Sequence, residues 1–109
     1  TLALPTPRPT PAISERVRIV EVVVVERRLE RGLASWYAEP FHGRRMANGE
    51  VFDKRAWTMA ARHLPLGAFA LVRYGGRECV VRVTDRGPYV TGRRYDLSEA
   101  VARYLGFPD

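Results

Sequence analysis

A few side chains in this sequence have the types and spacing to do chemistry, and Asp85 leads them. It closes the strand pattern Arg77 to Thr84, which holds the apolar run Cys79-Val80-Val81, and is followed at once by Arg86-Gly87-Pro88. A carboxylate at a strand end, with a rigid Gly-Pro turn behind it, is held out toward a groove and suits general acid–base work. The same spacing also fits a plain turn in which Asp85 caps its own backbone. Glu50 follows the turn signal Asn48-Gly49 and is the candidate second carboxylate, although a Glu after a turn is ordinarily solvated. Arg86 beside Asp85 favours the ionised carboxylate, so Arg86 either points away or binds substrate. Tyr37 and His42 are candidates for the groove wall, Trp36 reads as core, and Trp57 fits either place. One cysteine and two histidines make a poor zinc site. Cys79, inside its apolar run, reads as a small buried side chain, and no internal disulfide can form. No metal and no cofactor are expected.

The totals bound what could position these groups. A chain of 109 residues, 46% of them hydrophobic, can form one domain with one modest core. So small a domain suits an open groove better than a deep chamber. The net charge of +6 favours encounter with polyanions, either nucleic acid or the carboxylates and phosphates of a bacterial wall. Nucleic-acid binding would want basic residues on one face with interleaved aromatics. Here arginines are scattered and partly balanced by Glu, so no nucleic-acid partner is expected. No run approaches the roughly 20 apolar residues of a membrane span. Residues 1–12, TLALPTPRPTPA, read as an extended Pro-rich tether ahead of a domain over 13–109, and as a segment downstream of an export signal.

Along the domain the patterns are mainly β. The run Arg16 to Arg28 reads as one long strand, with Val22 to Val25 covered on both faces and Glu26, Arg27, Arg28 and Glu30 as charged flanks. Further strands are expected over 32–37, 58–61, 68–74 and 77–84, the last two joined by the hairpin signal Gly75-Gly76. Asp96-Leu97-Ser98-Glu99 resembles a capping box, with Asp96 as the cap and a helix over 97–105 stopped by Gly106 and Pro108. Short strands with long loops and a single late helix favour a small closed barrel over a βαβ fold.

Four segments together resemble the rare lipoprotein A family, in its order and at its spacing. They are Gly32 to Tyr37; Phe41 to Arg44 with Ala47-Asn48-Gly49-Glu50 and Phe52-Asp53; Leu64-Pro65-Leu66-Gly67; and Val83 to Pro88 with Asp96-Leu97-Ser98 and Leu105-Gly106. The resemblance spans about residues 32 to 107 and implies a six-stranded double-psi β-barrel with a short C-terminal helix. It implies a lytic transglycosylase that cuts between N-acetylmuramic acid and N-acetylglucosamine and leaves a 1,6-anhydro end. The alternative is an expansin-like wall-binding module without catalysis. It further implies peptidoglycan glycan strands as partner, an exported monomer in the periplasm or cell envelope, and a lipid anchor beyond the tether. Carried over by position, the catalytic set is Asp85, Glu50 and His63, and the substrate-binding set is Tyr37, His42, Asn48 and Arg86. The chain departs from the family pattern at Ala38 (usually Gly), Met46 (usually Thr) and Ala61, where a His commonly follows Thr-Ala-Ala. His63 lies two places on, and a strand offset of two would return it to the same face as a substitute near Asp85.

Overall fold

The computed structural model describes residues 17–24, 28–37 and 42–108. The proposed tether over 1–12 lies outside these residues. Six strands form in chain order: β1 (Arg18–Val23), β2 (Leu29–Tyr37), β3 (Thr58–Ala61), β4 (Phe69–Tyr74), β5 (Arg77–Asp85) and β6 (Arg93–Ser98). One helix follows, α1 (Glu99–Leu105). The strands close into a barrel in the order β1-β2-β6-β3-β5-β4. Pairs β2–β6 and β3–β5 are parallel, and the other neighbours are antiparallel. Closure leaves no free sheet edge, which is how so short a chain protects a Val-rich strand from pairing with another copy.

The first apolar run departs from the single long strand expected. Val24 N–H donates to Arg28 O at 3.0 Å, and Arg18 to Val23 fold back against Ala34 to Leu29 as a hairpin. Val20, Val22 and Val24 point into the barrel while Ile19 is 64% exposed, so this strand alternates and is not covered on both faces. Nor is Glu30 a solvated flank: its side chain is largely enclosed, bonded to Tyr95 and His63. The Gly75-Gly76 hairpin forms as expected, both glycines having positive φ as a two-residue turn of this kind requires.

The larger correction falls at Asp96. The stretch expected to begin a helix at Leu97 is strand β6, and the helix cap is Ser98. Ser98 has extended backbone angles, and its Oγ accepts from Val101 N–H at 3.4 Å while donating to Ala56 O at 2.6 Å. Tyr95 and Leu97 are fully buried with a period of two, inside the same core as Val72, Val83 and Val101. That alternation puts Asp96 on the opposite face from the core. Cys79 is half-buried against the core, and burial pushes its thiol up to about 11, which removes it as a nucleophile at neutral pH.

Candidate active site

Strand register builds the site. Ser35 of β2 pairs with Asp96 of β6, Asp96 with Ala60 of β3, and Ala60 with Asp85 of β5. Four residues from four adjacent strands therefore stand in one row. Neighbouring strands lie ~4.8 Å apart, so the two aspartates face each other across about 10 Å of backbone, with only the Ala60 methyl between them. The row depends on a register shift. Met59 pairs with Val83 but Ala60 pairs with Asp85, so Thr84 is an extra residue on β5. Without that bulge Thr84 would occupy the row, and Asp85 would sit one place further on. Thr84 instead turns inward, where its hydroxyl meets Met46 Sδ at 3.2 Å.

The row forms part of the wall of a groove of about 370 Å³, together with Trp36, Tyr37, the Gly87-to-Val90 turn and Arg93. Tyr37 is held by stacking on Phe52, with ring centroids 4.4 Å apart and 18° between planes. Burial, then the charges of Asp85 and Asp96, push its phenol well above the usual range, so it stays protonated. Trp36 packs against the core, as read, and its indole N–H also reaches Pro108 O at 3.4 Å.

The two carboxylates have different surroundings. Asp85 Oδ1 accepts from the backbone N–H groups of Ala47 at 2.9 Å and Arg86 at 2.8 Å. Ala47 is presented by the Asn48-Gly49 turn, closed by Met46 N–H to Glu50 O at 2.7 Å and tied to β5 by Asn48 N–H to Thr84 O at 3.1 Å. Asp96 is mostly buried and accepts from the Ser35 hydroxyl at 2.8 Å. Burial pushes its carboxyl up to about 6; Ser35 and Arg93 pull it down, and the charge of Asp85 pushes it up. Asp96 is thus the group that keeps a proton toward neutral pH, and its sequence neighbourhood hid it as a helix cap.

Of the remaining expected residues, Arg86 lines the groove and the others do not. His63 follows the end of β3, so an offset of two no longer returns a side chain to the same face. Its Nε2 lies 2.8 Å from Glu30 Oε1, in a separate hollow with Arg62, Gly92, Arg93 and Arg94. Ala61 faces away from the groove: it pairs with Tyr95 and is fully buried in the core. The Glu50 carboxylate accepts from Asn48 Nδ2 at 3.0 Å and pairs with Arg82 at 3.5 Å, outside the groove lining. Asn48 Oδ1 accepts from Glu50 N–H at 2.9 Å, so both residues shape the turn that delivers Ala47 to Asp85. His42 accepts from Lys54 N–H at 3.2 Å, also outside that lining. Arg86 turns its guanidinium from Asp85 to the carbonyls of Ala61 (3.0 Å) and Leu64 (2.7 Å), clamping the start of the β3–β4 connection. Trp57 is exposed and meets Tyr104 edge-on.

Residues 29–109 match the lytic transglycolase family, a span that holds the whole row and both aspartates. The chain belongs to the rare lipoprotein A-like family of double-psi β-barrels. Curated relatives agree. The chain is 45% identical over 93 residues to a probable endolytic peptidoglycan transglycosylase RlpA of Synechocystis, covering 84% of this chain and 29% of that protein. It is 49% identical over 78 residues to the Aquifex aeolicus protein of the same name, covering 70% of this chain and 34% of that protein. The endolytic peptidoglycan transglycosylase RlpA of Pseudomonas aeruginosa is 44% identical over 80 residues, 72% of this chain and 24% of that protein. The chain thus spans about a third or less of the length of these relatives.

Proposed function

We propose that the chain cleaves peptidoglycan glycan strands by lytic transglycosylation in the cell envelope, with Asp85 and Asp96 as its catalytic pair. The observation that carries this reading is the row: two carboxylates face each other across Ala60 in an open groove, and burial raises the proton affinity of Asp96. Coupled carboxyls divide protons between them, and burial favours the proton on Asp96. Asp96 gives that proton to the glycosidic oxygen as the bond from the muramyl C1 breaks. The C6 hydroxyl of the same sugar closes on C1, and its proton passes to Asp85. No water is consumed, and the pair ends with the protons it began with, one transferred from Asp96 to Asp85. Asp85 also faces the positive charge that develops at the ring, with Oδ1 already fixed by two N–H donors.

Tyr37 forms part of the groove wall in this reading, whereas Asn48, Glu50 and Arg86 position the loops around Asp85. The exported location, lipid anchor and monomeric state expected by resemblance belong to the same proposal. The test is mass analysis of soluble fragments from purified peptidoglycan, beside sedimentation with insoluble wall. Release of 1,6-anhydro ends is expected. Binding without any release would instead favour a wall-binding module, a reading to which the absence of a histidine from the groove lining lends weight.

A further inference from the structure

Next to the groove lies a second hollow, of about 430 Å³, lined by Arg62, His63, Gly92, Arg93 and Arg94. Arg93 borders both, so the two concavities meet at its side chain. The Arg62 guanidinium donates to Arg93 O at 3.1 Å, and Arg94 leans on His63 Nε2 at 3.4 Å and Glu30 at 3.8 Å. Among the described residues the Arg93 guanidinium makes no hydrogen bond and no ion pair, although it lies near enough to Asp96 to lower its proton affinity. Glu30 sits behind His63 and Arg94 and is already engaged by Tyr95, His63, Arg28 and Arg94. Three arginines against Glu30, with Asp96 on the far side of Arg93, leave an excess of positive charge whose planar donors match a carboxylate. Arg86 lies outside this hollow and gives its Nη1 to the carbonyls of Ala61 and Leu64.

We infer that this hollow is an anion subsite that holds a carboxylate carried by the muramyl residue of the substrate, with Arg93 as its principal contact and Arg62 and Arg94 as its walls. The inference rests on the peptidoglycan reading, because a muramyl sugar carries either a free lactyl carboxylate or, through that group, a stem peptide ending in carboxylates. Arg93 stands three positions before Asp96, about 10 Å along the strand, so a sugar held at the aspartate pair would project its substituent along the groove toward Arg93. The subsite would fix the direction of the strand as well as its register, since the substituent stands on only one of the two alternating sugars.

The test compares equilibrium binding to three preparations of soluble glycan strand: stripped of peptides, stripped with the lactyl carboxylates converted to methylamides, and bearing peptides. Wild type is expected to bind a carboxylate-bearing strand about tenfold or more tightly than the amidated one, the usual worth of a charge-assisted contact. Arg93→Gln should lose that preference, so that its affinities for the carboxylate-bearing and amidated strands become equal. Preference for the stripped strand assigns the lactyl carboxylate; preference for the peptide-bearing strand, equally sensitive to Arg93→Gln, assigns the peptide. Thermal melting of both proteins confirms that the variant is folded. Equal binding of all three strands by wild type overturns the inference, as does an Arg93→Gln variant with its preference intact. Carboxylate preference without any 1,6-anhydro product would leave the subsite standing and remove the transglycosylase reading.

Discussion

Replacing Asp96 by Asn should make the protein more stable and less active, and the gain should depend on pH. In the folded chain the Asp96 carboxyl is pushed from its ordinary 3.8 up to about 6, first by burial. The folded state therefore binds this proton more tightly than the unfolded state. Stability from this group is full below about pH 4 and is lost as pH rises through about 6, because the buried carboxylate must then ionise. A shift of about two units at ~1.36 kcal/mol each corresponds to about 2–3 kcal/mol. Asn is neutral at every pH and its Oδ1 can still accept from the Ser35 hydroxyl. Asp96→Asn should thus match wild type near pH 4 and exceed it by about 2–3 kcal/mol above pH 7, on the order of 10 °C in melting temperature. Urea titrations of both proteins from pH 4 to pH 8 measure the difference, and subtracting one curve from the other cancels every other titrating group to first order. A difference that stays flat across this range would refute the burial argument. Activity should fall even as stability rises, the usual exchange where a site holds an unfavourable charge.

Three other substitutions follow from the same geometry. Arg86→Ala should cost about 1–3 kcal/mol in chemical denaturation, because it strands the carbonyls of Ala61 and Leu64, and it should lower turnover through the displaced loop. Ala61→His, which would restore the family's usual residue, should destabilise by about 1–3 kcal/mol without raising turnover, since position 61 is packed in the core and paired with Tyr95; a gain in rate with unchanged stability would refute this placement. Tyr89, 76% exposed on the groove rim, offers its ring to a sugar face; Tyr89→Ala should raise KM severalfold and leave kcat nearly unchanged in steady-state product release.

The barrel was legible because its signals are local. Gly75-Gly76 between two β-branched runs announces one hairpin, and the late helix ends at Gly106 as its pattern requires. The place of Asp85 at the end of β5 was legible for the same reason, through the Gly-Pro turn behind it. Asp96 was not: Tyr95 and Leu97 alternate for only one period before the helical spacing of α1 takes over, and a two-period and a 3.6-period pattern overlap there. The row itself joins Ser35 to a residue 61 positions away, and it depends on a one-residue bulge at Thr84. No local spacing encodes either fact. His63 was placed near Asp85 by an alternation rule that ends where β3 ends, at Ala61. Glu50 was assigned by its turn, and the turn is what it serves.

The claim that Asp85 works in this groove is tested most directly by Asp85→Asn. The amide keeps an oxygen that can accept from Ala47 and Arg86, but it cannot take the proton of the C6 hydroxyl or carry charge toward the developing oxocarbenium. Release of 1,6-anhydro fragments from peptide-stripped peptidoglycan, counted by mass, should fall by at least ~10²-fold, while binding to insoluble wall changes little. An Asp85→Asn protein that releases these fragments at the wild-type rate would contradict the account.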